Sequence, residues 1–397
     1  MSPPLDIAAI VSGIHHVLPA ENPRAALHEP WFCGNEWNYV KECLDTGWVS
    51  TAGKYVGKFE SMLAGATGAR HAIAVVNGTA ALHVCLQLGG VRNGDEVLAP
   101  SLTFIATANA IAYCNATPHF VDSCLDTLGL DPHKLADYLA DIAEIRGDEC
   151  FNRKSGARIS AVVPMHTFGH PVDMDPLIET AARYRIAVIE DAAESLGSYY
   201  KGRHTGNDGL LSALSFNGNK IVTTGGGGAI LTNDRALAER ARHITTTARV
   251  AHRWSFLHDE VGYNYRLPNL NAALGCAQLE KLAGFVASKR RLAARYQDTL
   301  SGIGGLTPFC ETSFAKSNYW LNVLLLDASH AGERDALLEA LNNDGLMARP
   351  VWTLMHELPM FRDCPRMPLP VAEQLAACIV NVPSSPFLAM RQEAEVS

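Results

Sequence analysis

The sequence predicts an α/β protein: a large domain whose mostly parallel sheet is covered by helices, followed by a smaller α+β domain. Three observations carry that reading. Short apolar runs alternate with helical stretches from about residue 70 to 235. A second, shorter alternation begins near residue 317. The chain has 397 residues, 48% hydrophobic and 19% charged, enough for one large domain and a smaller one and ordinary for a folded protein.

The elements follow in order. Residues 1–27 read as an arm with one short helix. The large domain spans 28–248. Its candidate strands are His71–Val76, Glu96–Ala99, Pro118–Val121, Ser160–Met165, Ile186–Glu190, Ala213–Phe216 and Ala229–Thr232. They are short and largely apolar, as strands covered on both faces are. Helical segments such as Ala80–Leu88 and Met174–Tyr184 separate them. Residues 233–245 and 270–300 set Arg and Lys against Ala and Leu at helical spacing. The small domain, 249–397, offers a strand at Tyr319–Leu326, a helix at Ala331–Asn342 and a strand at Met347–Val351.

Charge and composition exclude several functions. Lys and Arg total 33 against 41 Asp and Glu, a net charge of −8. Such a chain has no basic excess to hold a nucleic-acid backbone or an anionic membrane. No run of eighteen apolar residues is present, and Met1–Pro19 lacks a basic leader. The ten cysteines include no Cys-x-x-Cys pair and read as reduced thiols of a cytoplasmic protein. His15-His16 has no partners at ligand spacing, so no metal is expected.

Ligands of parallel sheets bind beyond the carboxyl ends of the strands, and the notable residues fall there. Lys220 follows the strand ending Ser215-Phe216 and precedes four glycines, Gly225–Gly228. Such a lysine forms a Schiff base with a carbonyl cofactor or is simply a solvated loop residue. Asp191 ends an apolar strand, where it pairs with a protonated ring nitrogen or caps a helix. Asn77-Gly78-Thr79 joins a strand to a helix and suits a phosphate, or is an ordinary capped turn. Phe104 stacks on a flat ring or packs in the core. His166 lines the site or is a satisfied histidine at a strand end.

Taken together, a phosphate-type turn, an aromatic, an acid and a lysine occur in one chain order. That set resembles the fold-type I, pyridoxal-phosphate-dependent aminotransferases, and among them the DegT-type nucleotide-sugar aminotransferases. The resemblance runs from about His28 to Pro386 and is most specific at Ser-x-x-x-x-Lys-x-x-x-x-Gly-Gly-Gly-Gly. It implies that Lys220 carries the cofactor, and that Asp191 pairs with the pyridine nitrogen. Gly78, Thr79 and Ser215 hold the phosphate, Phe104 stacks on the ring, and Glu194 lies near the phenolic oxygen. Asn264, in Gly262-Tyr263-Asn264-Tyr265-Arg266-Leu267, reaches a partner's phosphate across a homodimer interface, so a monomer is inactive. His166, Tyr319 and Arg349 are expected at the substrate, with Arg249, Arg253 and Arg266 near its nucleotide phosphates.

Further stretches narrow the resemblance: His28-Glu29-Pro30, Gly47–Gly53, Ser317–Trp320 and Arg349–His356. They are similar to the subgroup linked to legionaminic acid and bacillosamine synthesis. This implies transfer of an amino group from L-glutamate to C4 of a UDP-linked 2-acetamido-4-keto-6-deoxy sugar. The alternatives are the same chemistry on GDP-4-keto-6-deoxymannose or a 3-keto sugar, and a non-catalytic cofactor-binding protein. A pyridoxamine-dependent dehydratase of this fold replaces the anchoring lysine by histidine, and position 220 is lysine.

Overall fold

The computed structural model describes residues 3–19 and 24–390. Residues 1–2 and 20–23 of the expected arm, and residues 391–397 of the expected small domain, lie outside the described residues.

Seven strands make the main sheet: β1 His71–Val75, β2 Glu96–Pro100, β3 Thr117–Val121, β4 Ile159–Val162, β5 Ala187–Asp191, β6 Leu211–Ser215 and β7 Gly228–Thr232. Their order is β1-β7-β6-β5-β4-β2-β3. The pairings from β6 through β3 are parallel, and β7 alone runs against its neighbours β1 and β6. The sheet is therefore mostly parallel, as expected. Side chains alternate between two cores. Ala72 and Ala74 of β1 join Phe59, Phe216 and Ala272 on one face, whereas Ile73 and Val75 join Leu82, Val97 and Ile189 on the other.

A second, four-stranded antiparallel sheet is formed by β8 Leu306–Pro308, β9 Asn322–Leu326, β10 Arg349–Pro350 and β11 Ile379–Val382, in the order β8-β9-β11-β10. The amino-terminal helix Ile7–Val17 belongs to this core. Its Ile10 and Ile14 are fully buried against a cluster holding Leu292, Tyr296, Leu300 and Val380. Burying each such side chain is worth about 1.5–3 kcal/mol.

The structure differs from the expected elements in places. The strand expected at Tyr319–Leu326 begins only at Asn322. Tyr319 has φ +49°, and the Ser317 and Asn318 side chains accept from Tyr319 N and Trp320 N, so a tight turn occupies its first half. The segment 270–300 is two helices, Asn269–Leu279 and Leu282–Leu300, broken at Glu280-Lys281. The first packs on the helices Glu36–Thr46 and Lys54–Thr67 of the large unit, and the second carries the small core. The strand expected over Met347–Val351 is only Arg349–Pro350, and the helix expected from Ala331 starts as a 3₁₀ turn, Ala328–Glu333. All ten cysteines are unpaired, six of them buried. Among the described residues no helix is long and apolar enough to cross a membrane.

Candidate active site

One edge of the main sheet gathers the chemistry. β1, β2, β4, β5 and β6 end there, and β7, running the other way, starts there at Gly228. Gly228 pairs with both Val75 and Ser215, which brings the turn after β1 beside the end of β6. The helix Gly78–Leu88 begins at that turn, with Asn77 as its cap: the side chain accepts from Ala80 N at 2.7 Å. A Cβ on Gly228 would lie 2.5 Å from the Asn77 carbonyl carbon and oxygen, and one on Gly78 would lie 3.0 Å from the Ser215 Cβ. Gly228 therefore requires glycine for the backbones to approach, and a side chain at Gly78 would press on Ser215. The result is a helix amino terminus faced by the Ser215 hydroxyl, a donor set suited to an anion.

A cleft of about 300 Å³ opens over this edge. It is lined by Gly78, Thr79, Phe104, Asp191, Glu194, Ser215 and Lys220, among others. Seven residues expected from sequence at one cofactor thus meet in one cavity.

Asp191 ends β5 and is buried. Its Oδ2 accepts from Thr107 Oγ1 at 2.7 Å and its Oδ1 from Ala193 N at 3.2 Å. Burial raises its carboxyl above the usual range, against the opposing pull of the Thr107 bond and the Lys220 charge. Lys220 Nζ donates to Glu194 Oε1 at 3.1 Å and lies 3.9 Å from the centre of the Trp320 ring. Glu194 Oε2 accepts from Phe168 N at 2.9 Å. Burial pushes the Glu194 carboxyl up to about 7, with the nearby Lys220 charge acting the other way. Phe104 is 45% exposed at the mouth of the cleft, its ring edge-on to Trp352 at 5.9 Å.

Seven expected residues lie elsewhere. His166 is fully buried. Val172 N donates to its Nδ1 at 3.1 Å, so its Nε2 carries the proton and donates to Glu190 Oε2 at 2.9 Å. Both nitrogens are used within the protein. Tyr319 is buried, and its hydroxyl accepts from Glu311 N at 3.2 Å. Arg349 is exposed on β10 and donates to Ala348 O and Asn342 Oδ1. None of the three lines the cleft. Asn264 lines a separate hollow with Thr51, Thr246, Arg249, His252 and Arg266. In that hollow Arg266 is paired with Glu60, and Arg249 stands over the Phe256 ring at 4.2 Å. Arg253 lies outside it, over the Trp254 ring at 5.4 Å.

Sequence reasoning missed Thr107, the partner of Asp191. Its signal was available: it stands three positions after Phe104, one turn into the helix Ile105–Tyr113. The roles of Trp320 and Trp352 in the cleft wall had no local signal.

These residues fit pyridoxal phosphate. The glycine-lined turn takes a phosphate. A protonated pyridine nitrogen would give the buried Asp191 the positive partner that burial demands. Phe104 offers a ring face, and Lys220 an amine.

The chain belongs to the DegT/DnrJ/EryC1/StrS aminotransferase family, whose model matches residues 33–397. It is similar to GDP-perosamine synthase of Escherichia coli O157:H7, 37% identical over 92% of this chain and 94% of that one. It is likewise similar to EpsN of Bacillus subtilis (strain 168), assigned by its name to the pyridoxal phosphate-dependent aminotransferases, at 38% identity over 84% and 83% of the two chains. Among solved structures, the aminotransferase TlmJ from Streptoalloteichus hindustanus superimposes with a TM-score of 0.81 at 29% identity, over 91% of this chain and 93% of that one. The fold is that of the fold-type I aminotransferases. The protein is a sugar aminotransferase, and its cofactor is pyridoxal phosphate.

Proposed function

We propose that this enzyme moves an amino group from L-glutamate to C4 of a GDP-linked 4-keto-6-deoxy sugar, in the cytoplasm and as a homodimer with shared sites. The observation that carries the aminotransfer is the cluster of Lys220, Glu194 and Asp191 in one cleft with the Gly78 turn and Phe104. What supports the sugar is the likeness to GDP-perosamine synthase across more than nine-tenths of both chains. The UDP-linked 2-acetamido sugar is the second reading. It draws on Trp320 and Trp352, which belong to two of the segments similar to that subgroup and which line the cleft.

When bound, the cofactor supplies a protonated ring that takes up the electron pair left as the donor loses its Cα proton. Asp191 holds the proton at the ring nitrogen, and Thr107 and Ala193 N fix the carboxylate's orientation. Gly78, Thr79 and Ser215 bind the phosphate. Phe104 covers one face of the ring and sheds water from it. Lys220 would be the covalent anchor and, once free, the base that removes the donor's Cα proton and, in the second half, the acid that delivers a proton to C4 of the sugar, the carbon that carries the new amine. Asn264 extends to the partner's phosphate site, with Arg249 and Arg266 beside it for the nucleotide.

The test has two stages. The absorbance spectrum of the purified protein should shift from about 410–420 nm to about 330 nm on adding L-glutamate. A colourless protein that stays so with added pyridoxal phosphate would remove the central claim. The glutamate-treated protein is then offered GDP-4-keto-6-deoxymannose and UDP-2-acetamido-4-keto-6-deoxyglucose separately. Return of the first band with the GDP sugar only is the expected result. Return with the UDP sugar only would overturn the choice of substrate and leave the aminotransfer standing.

A further inference from the structure

We propose that Glu194 is the proton partner of Lys220: it takes the proton from the lysine ammonium so that the amine can attack a carbonyl carbon. It then returns that proton to the carbonyl oxygen, which leaves as water. The inference rests on the reading that Lys220 carries the cofactor, and goes beyond it by giving Glu194 a chemical duty.

The geometry limits the choice of partner. Among the described residues, Glu194 is the only carboxylate bonded to Lys220 Nζ. On another side Nζ meets the Trp320 ring, which attracts a cation but accepts no proton in this sense. Asp191, the second acid facing this space, has an oxygen engaged by Thr107 and the other by Ala193 N. Glu194 is itself held in place. Phe168 N fixes Oε2 and leaves Oε1 toward the amine. The pair is withdrawn from solvent, with side-chain exposures of 12% for Lys220 and 1% for Glu194, so bulk water is a poor substitute as acceptor.

The charged groups facing Glu194 are Lys220 from the loop after β6 and Asp191 from the end of β5. Burial is the largest influence on it, and it pushes the carboxyl up to about 7. A carboxyl placed there is half ionised at neutral pH, which is the condition under which one group both accepts and returns a proton.

The step balances. The Nζ–C bond forms as the C–O bond breaks. Of the three ammonium protons, two depart in the water and one stays on nitrogen. Glu194 ends as it began, and no oxidant or other co-reactant is consumed. Glutamine at this position could bridge the same groups but could not take the proton.

The experiment measures the rate at which cofactor-stripped protein captures pyridoxal phosphate, by stopped-flow absorbance from about pH 5.5 to about 9. The wild-type rate should rise through about pH 7 as Glu194 ionises. Glu194→Gln should be slower by about a hundredfold at the upper end and should lack that inflection. Binding of pyridoxamine phosphate, read by tryptophan fluorescence, should be retained in the variant because it requires no proton from Lys220. A wild-type profile flat through this range, which depends on no variant, would overturn the proposal. So would a Glu194→Gln profile identical to wild type. Lys220→Ala is the control on the underlying reading: should it still develop the band at about 415 nm, the lysine assignment itself is wrong.

Discussion

Asp191 is useful because the protein has left it costly to ionise. Its carboxylate is buried, and its bonds come from one hydroxyl and one backbone N–H, which stabilise a charge without cancelling it. A ring N–H⁺ completes the set. Asp191→Asn removes the charge at nearly constant shape and should lower kcat by about 10²–10⁴, measured in the glutamate half-reaction. Thr107→Val should cost less, about 10- to 150-fold, since it deletes one hydrogen bond to a charged group worth about 1.5–3 kcal/mol. The order of the two losses is the check: a Thr107 effect equal to that of Asp191 would mean the hydroxyl does more than orient. Residues of this kind were legible in the sequence because each sits just past an apolar strand, and a parallel sheet sends all such positions to one edge. His166 sits just past a strand too, yet Glu190 and the Val172 amide use both of its nitrogens. Tyr319 and Arg349 depend on where a second sheet comes to rest. No local pattern encodes that.

At the scale of elements, the antiparallel β7 is the decisive piece. It inserts between β1 and β6 and brings their ends together only because Gly228 lets its backbone touch the Asn77 carbonyl. Gly228→Ala should destabilise the protein by about 1–3 kcal/mol through overpacking and weaken cofactor binding further, since the strain falls on the phosphate turn. Thermal unfolding with and without cofactor separates the two effects. A second element-scale expectation concerns acid. His170 follows the turn Thr167–Gly169 and packs its ring edge-on to Phe309 and Tyr319, at 4.7 and 5.1 Å. Its two nitrogens are buried without partners, and burial, aided by the Arg290 charge, lowers its pKa to about 3. The folded state thus binds the proton more weakly than the unfolded one. The stability His170 contributes is present above about pH 6.5 and is lost as pH falls from there toward about 3. His170→Phe keeps the ring contacts and should flatten the acid limb of a denaturation-versus-pH curve. The strands were readable from their apolar runs, whereas the turn that shortens β9 was not. It depends on the Ser317 and Asn318 side chains folding back on their own backbone, a local competition that periodicity does not register.

At the scale of the whole molecule, Asn264 lies outside the cleft of its own chain, so shared sites can be tested by complementation. Lys220→Ala and Asn264→Ala should each be inactive alone. Mixed dimers of the two, refolded together at equal amounts, should recover about a quarter of the wild-type sites, because half the dimers are mixed and each has one intact site. No recovery would argue for sites built from a single chain. The location of the amino-terminal helix has a different consequence, one for synthesis. Ile10 and Ile14 share a core with Leu292, Leu300 and Leu341, and their helix packs on Leu282–Leu300 and Arg334–Asn343, so it leaves the ribosome about 280 residues or more before most of its partners. At about 5–20 residues per second that delay is on the order of half a minute. Through it an apolar helix face stays open to solvent and to other nascent chains. A segment made early is thus buried late, which makes this helix a natural place for a holding chaperone to bind and for misassembly to begin.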